Sequence, residues 1–375
     1  MNGLVASPWG PLLEQLPAVP NTAELILRDG IDGPSATIRY ADRSPRVFVG
    51  GGLALRELLP EQDEGLVGAE LLADANQLAD VVAPAIGTVQ ATELVSWRPR
   101  RRAVVRVTTV AGDVHWLKLL DAKSYRRAQR AFGALGSALT PLQLAVPHTM
   151  LPGVGAYLSA NSAGQSLRSL LAAAASTGAE SSPRSPASSL WSAHLTRALL
   201  AIGYTRLLGD VNAQRLPRID FESSRSATLG MLRKGSAVSP ELLTLVEQIT
   251  ELRAPTAATE QAFVHGDLHD KQVFVSSDQV SLIDLEGLGV GDARVDFVNL
   301  AEHLHLRDLQ HHGRDRGLAD DLLARCSFDA SDRDMLAFRA VIRARLCGVY
   351  ALRPRWRDLV EKLRSEVQTL VEEIR

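Results

Sequence analysis

The spacing of hydrophobic positions divides the chain into a β-rich first part and an α-rich second part. Short apolar runs separated by Gly, Asp, Pro and Ser fill residues 23–49 and predict a small β meander. Three strand-like runs in residues 92–120, ELVSW, AVVRVTTV and VHWLKLL, predict an antiparallel sheet. From about Leu190 onward most segments have helical spacing, apart from residues 273–286. This order of elements predicts an α+β, two-lobed fold.

Helical periodicity predicts further elements around these strands. Apolar residues recur at helical spacing from Glu64 to about Ala85 and predict a helix that ends near Pro84. A second helix is predicted for SYRRAQRAFGAL, after the sheet, and the 3,4 spacing from Trp356 to Ile374 predicts a last helix packed on the core. Residues 171–189 begin as a helix and become rich in Ser, Pro and Ala, which predicts a loop.

The stretch FVHGDLHDKQVFV, residues 263–275, concentrates polar side chains between apolar runs. The runs 273–276 and 280–286 flank a three-residue turn and predict an antiparallel hairpin. Pairing of Ser276 with Val280 would place Gln272 opposite Asp284, to within about one or two residues. Alternation along the second strand would place Asp284 and Glu286 on the same face.

Oxygen ligands gathered in this way suit a hard cation such as Mg²⁺, which keeps several waters and binds substrate phosphates. Asp267 lies five residues before Gln272 and would join the same pocket. Taken singly, each acidic residue could instead cap a turn or form a salt bridge. Their convergence favours a site with a cation or a basic group between them, because the carboxylates would otherwise repel one another.

Composition excludes several classes of function. The 375 residues are 46% hydrophobic and 22% charged, which is typical of a globular protein with two or three domains. A net charge of −2 argues against nucleic acid or an anionic membrane as the main partner. The chain has no apolar run of roughly 18 to 20 residues and no signal-peptide pattern at its start. With only two cysteines, Cys326 and Cys347, a cytoplasmic protein is expected.

The histidine-rich segment EHLHLRDLQHHG, residues 302–313, raises the question of a transition metal. His303 and His305 are two positions apart on a predicted helix and so do not share a face, and no cysteine is close. The pattern therefore argues against a zinc site.

The motif His265-Gly266-Asp267, followed by Gln272 and then Ile283-Asp284, resembles the catalytic core of the aminoglycoside phosphotransferase and choline kinase superfamily. The segment from Gly291-Asp292 to Asp296 also resembles that superfamily's G-D-x-x-x-D helix start. The resemblance covers roughly residues 92–375. It implies a bilobal protein-kinase-like fold that transfers a phosphoryl group from ATP. The implied division is an extra N-terminal cap (1–90), a β-rich N-lobe (91–160) and a mostly helical C-lobe (161–375).

The resemblance also implies roles for residues of the opening stretch and the hairpin. Asp267 would orient and deprotonate the acceptor hydroxyl, while Gln272 and Asp284 would hold Mg²⁺, with Glu286 beside them as a further ligand. His265 would support the loop rather than act as a base, and His269 would either line the acceptor site or face solvent. The supporting set is His265, His269 and Asp296.

For the nucleotide, the resemblance points upstream of this stretch. Lys118 would pair with the α- and β-phosphates, although a strand lysine is often only a solvated edge charge. The backbone around Leu158 and Ser159 would bind adenine. RPRRR, residues 98–102, replaces a glycine-rich loop, so that Arg101 and its neighbours would either contact phosphate or stay solvated.

Two departures from the superfamily pattern affect the choice of function. Gln272 replaces the usual Asn, and LHDKQ followed by LIDLEG resembles bacterial maltokinases and related glucosamine kinases. Residues between Leu119 and Leu135 include no Glu, so that the acidic partner of Lys118 is not evident.

The leading hypothesis is a kinase, monomeric or homodimeric, that phosphorylates a small-molecule hydroxyl of a sugar or amino sugar. An aminoglycoside or similar antibiotic phosphotransferase and a catalytically silent nucleotide-binding protein are the alternatives. A cationic acceptor is conceivable because the acidic residues Asp292, Asp296 and Glu302 follow the motif.

Overall fold

The computed structural model describes the chain at residues 9–20, 23–30, 33–40, 46–51, 54–135, 143–144, 149–176, 215–256, 261–276, 280–312, 317–326 and 328–375. The predicted loop at 171–189 lies outside these residues from 177 onward.

An antiparallel meander of four strands follows a short first helix. The elements are α1 (Gly10–Gln15), β1 (Glu24–Gly30), β2 (Gly33–Arg39), β3 (Arg46–Gly51) and β4 (Ala54–Leu58). The predicted meander is confirmed, and the structure adds β4, whose sequence carries too little alternation to be recognised. We call β1 to β4 the first sheet.

A second, five-stranded sheet has the strand order β5-β6-β7-β10-β9. Its strands are β5 (Val89–Arg98), β6 (Arg102–Thr109), β7 (Val114–Leu120), β9 (Thr149–Leu151) and β10 (Ala156–Ala160). Helix α2 (Ala75–Ile86) precedes the sheet, and α3 (Ala122–Leu135) follows β7. The three predicted strands and the helix after them are confirmed.

The helix predicted from Glu64 to Ala85 is wrong in its first half. The structure has 3₁₀ turns at Pro60–Gln62 and Ala69–Leu72, and α2 begins only after Asp74, whose carboxylate accepts hydrogen bonds from the amides of the next turn. The predicted end near Pro84 is confirmed, since α2 ends at Ile86.

The rest of the described chain is mainly helical. Its helices are α4 (Leu167–Ser176), α5 (Phe221–Ser236), α6 (Leu243–Glu251), α7 (Arg294–His312), α8 (Leu318–Arg325), α9 (Arg333–Ala351) and α10 (Arg357–Ile374). Short strands form two small sheets among them: β8 (Gln143–Leu144), β11 (Gln165–Ser166), β14 (Val273–Val275) and β15 (Val280–Leu282) in one, and β12 (Arg218–Ile219), β13 (Ala262–Val264) and β16 (Gly289–Gly291) in the other. The predicted α+β architecture with a β-rich and a helical part is confirmed.

The first sheet packs against both of these parts. Val47 belongs to the apolar core of the five-stranded sheet, whereas Leu27 packs with Val238 and Leu352 of the helical part. The amide of Leu27 also donates to the carbonyl of Leu352 at 2.8 Å. The first sheet therefore bridges the two lobes, although the domain boundaries at residues 90 and 160 stay a prediction.

A buried ion cluster ties α7 to α9. Glu302 is fully buried and accepts hydrogen bonds from Arg339 at 2.9 Å and from Arg343 at 2.6 Å. Burial alone would raise the pKa of Glu302, but the two arginines outweigh it and lower this pKa to about 2. Its role is structural, since both carboxylate oxygens are engaged inside the helical core.

Glu302→Gln is expected to lower the free energy of unfolding at neutral pH by up to about 3–5 kcal/mol, because two buried guanidinium groups lose the carboxylate between them. Arg339 then keeps the carboxylate of Asp320, and Arg343 that of Glu366, both more exposed than Glu302. A carboxylate with a lowered pKa stabilises the fold above its unfolded pKa of about 4.5, and this contribution is lost as the pH falls toward about 2. Urea unfolding across that range should therefore show a weaker pH dependence in the variant. Glu222→Gln, in an exposed pair with Arg225, is the matched control and should change little. Equal effects of the two substitutions would contradict this assignment.

Candidate active site

The loop between β13 and β14 carries the predicted catalytic motif, and hydrogen bonds to buried groups anchor its backbone. The buried carboxylate of Asp296 accepts hydrogen bonds from the amides of His265 at 2.6 Å and Gly266 at 2.9 Å. The ring Nε2 of His265 lies 2.8 Å from the carbonyl oxygen of Ile283. Gly266 has a φ of +80°, and a Cβ there would come within 2.7 Å of Ile219. These contacts fix the loop backbone, and the supporting role of His265 and Asp296 stays a prediction that they favour.

Asp267 projects from this loop toward solvent. Its side chain is 63% exposed, and the nearest cation described is Arg345, whose Nη2 lies 3.7 Å from Oδ1. Arg345 is itself positioned by a hydrogen bond to the side-chain oxygen of Asn299, and the Asn299 amide donates to the carbonyl of Leu268. An exposed carboxylate on a rigid loop is accessible to a substrate hydroxyl.

Gln272 ends the loop and begins the hairpin. Its Oε1 accepts a hydrogen bond from the amide of His269 at 3.1 Å, and its carbonyl accepts from the amide of Ile283 at 3.1 Å. Val275 pairs with Val280, so that Gln272 stands opposite Ile283. The predicted register with Asp284 is therefore off by one residue, which is within its stated margin.

His269 packs against the helical lobe rather than standing free. Its ring lies 4.8 Å from that of His303, centroid to centroid, and its Nδ1 lies 3.6 Å from the buried carboxylate of Asp270. Asp270 in turn pairs with Arg307 at 2.7 Å. Burial would raise the pKa of Asp270, but hydrogen bonding to His269 and the charge of Arg307 hold it well below its usual range. These contacts tie the middle of the loop to α7.

The carboxylates of Asp284 and Glu286 lie close together, but not for the predicted reason. Strand β15 ends at Leu282, Asp284 has a φ of +64°, and a 3₁₀ turn spans Leu285–Gly287. Strand alternation, the predicted reason for a shared face, is therefore wrong for these two residues. A left-handed residue followed by a tight turn brings the carboxylates together instead.

Lys118 is the group that lies between the two carboxylates. Its Nζ is 2.5 Å from Oδ1 of Asp284 and 2.8 Å from Oε1 of Glu286. Tyr157 donates to Oε2 of Glu286 at 3.0 Å, and Nη1 of Arg102 is 3.7 Å from Asp284 and 3.6 Å from Glu286. The acidic partner that sequence reasoning did not find for Lys118 is thus supplied by the hairpin after the catalytic loop.

This pairing keeps the site ionised. Burial would raise the pKa of Asp284, but Lys118 and then Arg102 outweigh it and hold that pKa well below its usual range. Burial and the neighbouring carboxylates raise the pKa of Tyr157 well above its usual value, so its hydroxyl remains a donor. The carboxylate of Asp284 is therefore available to a cation at neutral pH.

The remaining residues predicted to bind the nucleotide are spread along the five-stranded sheet. Leu158 and Ser159 are buried in β10, opposite Leu117 and Trp116 of β7. The part of β9 that the structure describes pairs with β10 only as far as Leu158. Arg101 is exposed at the β5–β6 turn, where its neighbour Arg102 reaches the acidic pair instead.

Several residues of this site were not predicted. Tyr157, Arg345 and Asn299 approach it through contacts between distant segments, and no local pattern marks them in the sequence. Two of the acidic residues predicted to lie near a cationic acceptor form ion pairs with arginines instead. Asp292 pairs with Arg294 at 2.7 Å and Glu302 is buried in its ion cluster, so that neither is a free acid for a cationic acceptor.

Comparison with known proteins now identifies the family. The profile of the phosphotransferase enzyme family (APH) matches residues 68–336, which is most of the chain and includes the loop before β14 and Lys118. The chain belongs to this family. It is a small-molecule phosphotransferase with a protein-kinase-like fold. No curated protein matches the chain in sequence.

Solved structures of similar fold include kinases of two kinds. Choline kinase LicA from Streptococcus pneumoniae has 11% identity and a TM-score of 0.45, covering 79% of this chain and 98% of its own. A choline/ethanolamine kinase family protein from Mesorhizobium loti has 13% identity and a TM-score of 0.47 over 80% and 98%. The GDP complex of aminoglycoside 2'-phosphotransferase-IIIa has 14% identity and a TM-score of 0.47 over 80% and 98%.

A magnesium ion, which the family implies, fits the donor set at the end of the hairpin. Asp284 offers an ionised carboxylate and Gln272 an amide oxygen, both hard donors. In the described part of the chain, no three His, Cys, Asp or Glu side chains converge as in an all-protein metal site. The remaining ligands would be waters and phosphate oxygens, which is typical of Mg²⁺.

No helix among the described residues is both long and apolar enough to cross a bilayer.

Proposed function

We propose that this phosphotransferase moves the γ-phosphoryl group of ATP to a hydroxyl of a sugar or amino sugar, with Mg²⁺ as cofactor. One observation carries the proposal: Lys118 of the five-stranded sheet meets Asp284 and Glu286 of the helical lobe, beside a loop that presents Asp267. A strand lysine buried between two carboxylates is not a solvated edge charge. In the proposed reaction, a nucleotide phosphate would replace Asp284 and Glu286 as the partner of Lys118.

Each residue has a distinct part in the proposed reaction. Lys118 would bind the nucleotide phosphates, and the charge of Mg²⁺, held by Asp284 and Gln272, would neutralise the phosphoryl oxygens. Asp267 would accept a hydrogen bond from the acceptor hydroxyl, align it with the phosphorus and take its proton as the bond forms. The backbone of Ser159, beyond the described pairing with β9, is where adenine would bind.

The sugar acceptor is supported by the glutamine at position 272. An amide oxygen one methylene further from the backbone still supplies a hard ligand, and a loop with this glutamine resembles that of bacterial maltokinases and glucosamine kinases. The antibiotic phosphotransferase alternative needs acidic residues for a polycationic acceptor, and Asp292 and Glu302 are already paired with arginines. The silent-binder alternative arose from the missing partner of Lys118, which Glu286 and Asp284 supply.

We infer that the enzyme works in the cytoplasm as a monomer or homodimer with no nucleic-acid or membrane partner. ATP is abundant there, and the two buried thiols of Cys326 and Cys347 are free.

A coupled ADP-release screen tests the proposed acceptor class. The acceptors are glucose, maltose, glucosamine, other amino sugars and aminoglycosides, each measured with and without Mg²⁺. Magnesium-dependent turnover of a sugar supports the proposal. Turnover of aminoglycosides alone would favour the antibiotic alternative, and nucleotide binding without turnover of any acceptor would favour the silent binder.

Lys118→Met is expected to weaken ATP binding by roughly ten- to a hundredfold, since a charged hydrogen bond is worth about 1.5–3 kcal/mol. The methionine keeps the apolar stem but leaves Asp284 and Glu286 without the cation between them. Calorimetric titration with a non-hydrolysable ATP analogue measures the change. His115→Ala, at the opposite end of the same strand, is the control. Undiminished nucleotide affinity in Lys118→Met would remove the lysine from the site.

A further inference from the structure

Five arginines from three parts of the chain lie close enough to repel one another, and one of them contacts the acidic pair Asp284 and Glu286. They are Arg28 and Arg39 of the first sheet, Arg98 and Arg102 at the β5–β6 turn, and Arg353 after α9. We call them the arginine cluster. The proposed phosphotransfer roles use none of them.

Backbone geometry explains why these arginines meet. The hydrogen bond from Leu27 to Leu352 sets Arg28 beside Arg353. Arg98 and Arg102 are paired across the β5–β6 turn, and Arg39 stands opposite Glu24 at the open end of the β1–β2 pair. The cluster is therefore built by the docking of the first sheet onto both lobes.

The cluster has few counter-charges among the described residues. Glu24 is shared, at 3.4 Å, between Arg39 and Arg353. Asp284 and Glu286, the carboxylates nearest Arg102, already contact Lys118 at shorter distances. The described part of the chain thus presents more positive than negative charge here.

Three donors of the cluster are buried without a partner. The Nε atoms of Arg28, Arg102 and Arg353 are inaccessible to solvent and make no hydrogen bond to any residue that the structure describes. A solvated charge run would leave such donors in water, whereas a buried unsatisfied donor costs free energy. Arginine stays protonated at neutral pH, so the unmet donors and the mutual repulsion both favour binding of an anion.

The pKa values agree with this geometry. Burial, followed by repulsion from Arg98, Arg39, Arg353 and Arg102, lowers the pKa of Arg28 to about 9. Arg98 is exposed as a residue, but loss of solvent around its guanidinium and repulsion from Arg102 lower its pKa to about 10. The attraction between Arg98 and Asp267 acts in the opposite direction and raises the pKa of Arg98.

We propose that the arginine cluster is an anion-binding subsite that takes a phosphate or carboxylate group close to Asp284 and Glu286, which Arg102 contacts. Two sources of that group fit its position: an anionic substituent on the acceptor, such as a sugar phosphate or sugar acid, or the terminal phosphates of the nucleotide. Forked guanidinium donors are suited to both groups. The catalytic role of the subsite rests on the function proposed above, whereas the binding of an anion there does not.

Calorimetric titration with inorganic phosphate, at constant ionic strength, tests the subsite. The wild type is expected to bind phosphate, and Arg28→Gln and Arg353→Gln are each expected to bind it roughly tenfold or more weakly. Arg46→Gln is the matched control, because Arg46 lies on the same sheet but pairs with Glu57 at 2.5 Å, outside the cluster. Arg28→Gln should be at least as resistant to unfolding as the wild type in phosphate-free buffer, since it removes a repelled charge.

A second titration, with a magnesium-bound non-hydrolysable ATP analogue present, distinguishes the two sources. Phosphate that still binds assigns the subsite to the acceptor, and phosphate that is displaced assigns it to the nucleotide. Asp267→Asn should bind phosphate at least as well as the wild type. Phosphate binding therefore tests the subsite even if the protein proves to have no phosphotransferase activity. Absence of phosphate binding to the wild type, or unchanged binding in both Arg28→Gln and Arg353→Gln, would overturn the proposal.

Discussion

Asp267→Asn is expected to lower kcat by roughly 10²–10⁴-fold while leaving nucleotide affinity and stability nearly unchanged. The reason is the position of the side chain, which is 63% exposed on a loop whose backbone is held by Asp296 and His265. Asparagine has the same shape but cannot take the proton of the acceptor. Steady-state kinetics, calorimetric titration with an ATP analogue and urea unfolding measure the three quantities.

Asp296→Asn provides the structural contrast to this variant. Asp296 is buried and accepts two backbone hydrogen bonds from the loop, so its substitution should reduce stability as well as activity. Burial raises the pKa of Asp296. If Asp267→Asn loses stability as Asp296→Asn does, Asp267 is a structural residue, and if it keeps full activity, it is not the catalytic base.

Asp284→Ala is expected to raise the magnesium concentration needed for half-maximal ATP binding by roughly a hundredfold or more. The reason is that the substitution removes the ionised ligand of the proposed metal site. The substitution leaves the hairpin pairing intact, since β15 ends at Leu282. Magnesium titrations of ATP-analogue binding, at fixed analogue concentration, measure the effect. An unchanged magnesium titration would contradict the metal assignment.

Glu286→Gln separates two roles for the second carboxylate. As a metal ligand, Glu286 should affect the magnesium titration as Asp284 does. As the partner of Lys118 and Tyr157, which is what its contacts show, it should chiefly change nucleotide affinity at saturating Mg²⁺. We expect the second result.

The catalytic loop and its hairpin were predictable from the sequence because they are local. Asp267, Gln272 and Asp284 lie within one short segment, and a hairpin with a short turn has few possible registers. The register was wrong by one residue, and Asp284 is left-handed, yet Gln272 stands opposite Ile283 and the carboxylates of Asp284 and Glu286 both contact Lys118. Their chemical roles remain predictions until the variants are measured.

The contacts that complete the site could not be predicted, since each joins distant segments. Lys118 and Glu286 are 168 residues apart, and the arginine cluster depends on how the first sheet docks onto two lobes. A single sequence carries no signal for such pairings. The helix after its strand holds no Glu to pair with Lys118, and the helical lobe supplies Asp284 and Glu286 instead.

The wrong half of the helix predicted before α2 has a local cause. Gly68 adopts a φ of +81°, and its neighbouring residues form 3₁₀ turns whose apolar side chains mimic helical spacing. The helix starts after Asp74, whose carboxylate caps its first turn. An Asp at this position is a signal of a helix start, but the apolar spacing predicted an earlier start at Glu64.

Phosphorus NMR of ATP incubated with magnesium, a sugar acceptor and the protein tests the proposed reaction most directly. With the wild type, ADP and a new phosphomonoester signal are predicted to grow in equal amounts, and with Asp267→Asn neither should grow at a comparable rate. ATP that stays intact with the wild type and every acceptor, or equal product formation by Asp267→Asn, would contradict the assignment of this site to phosphoryl transfer.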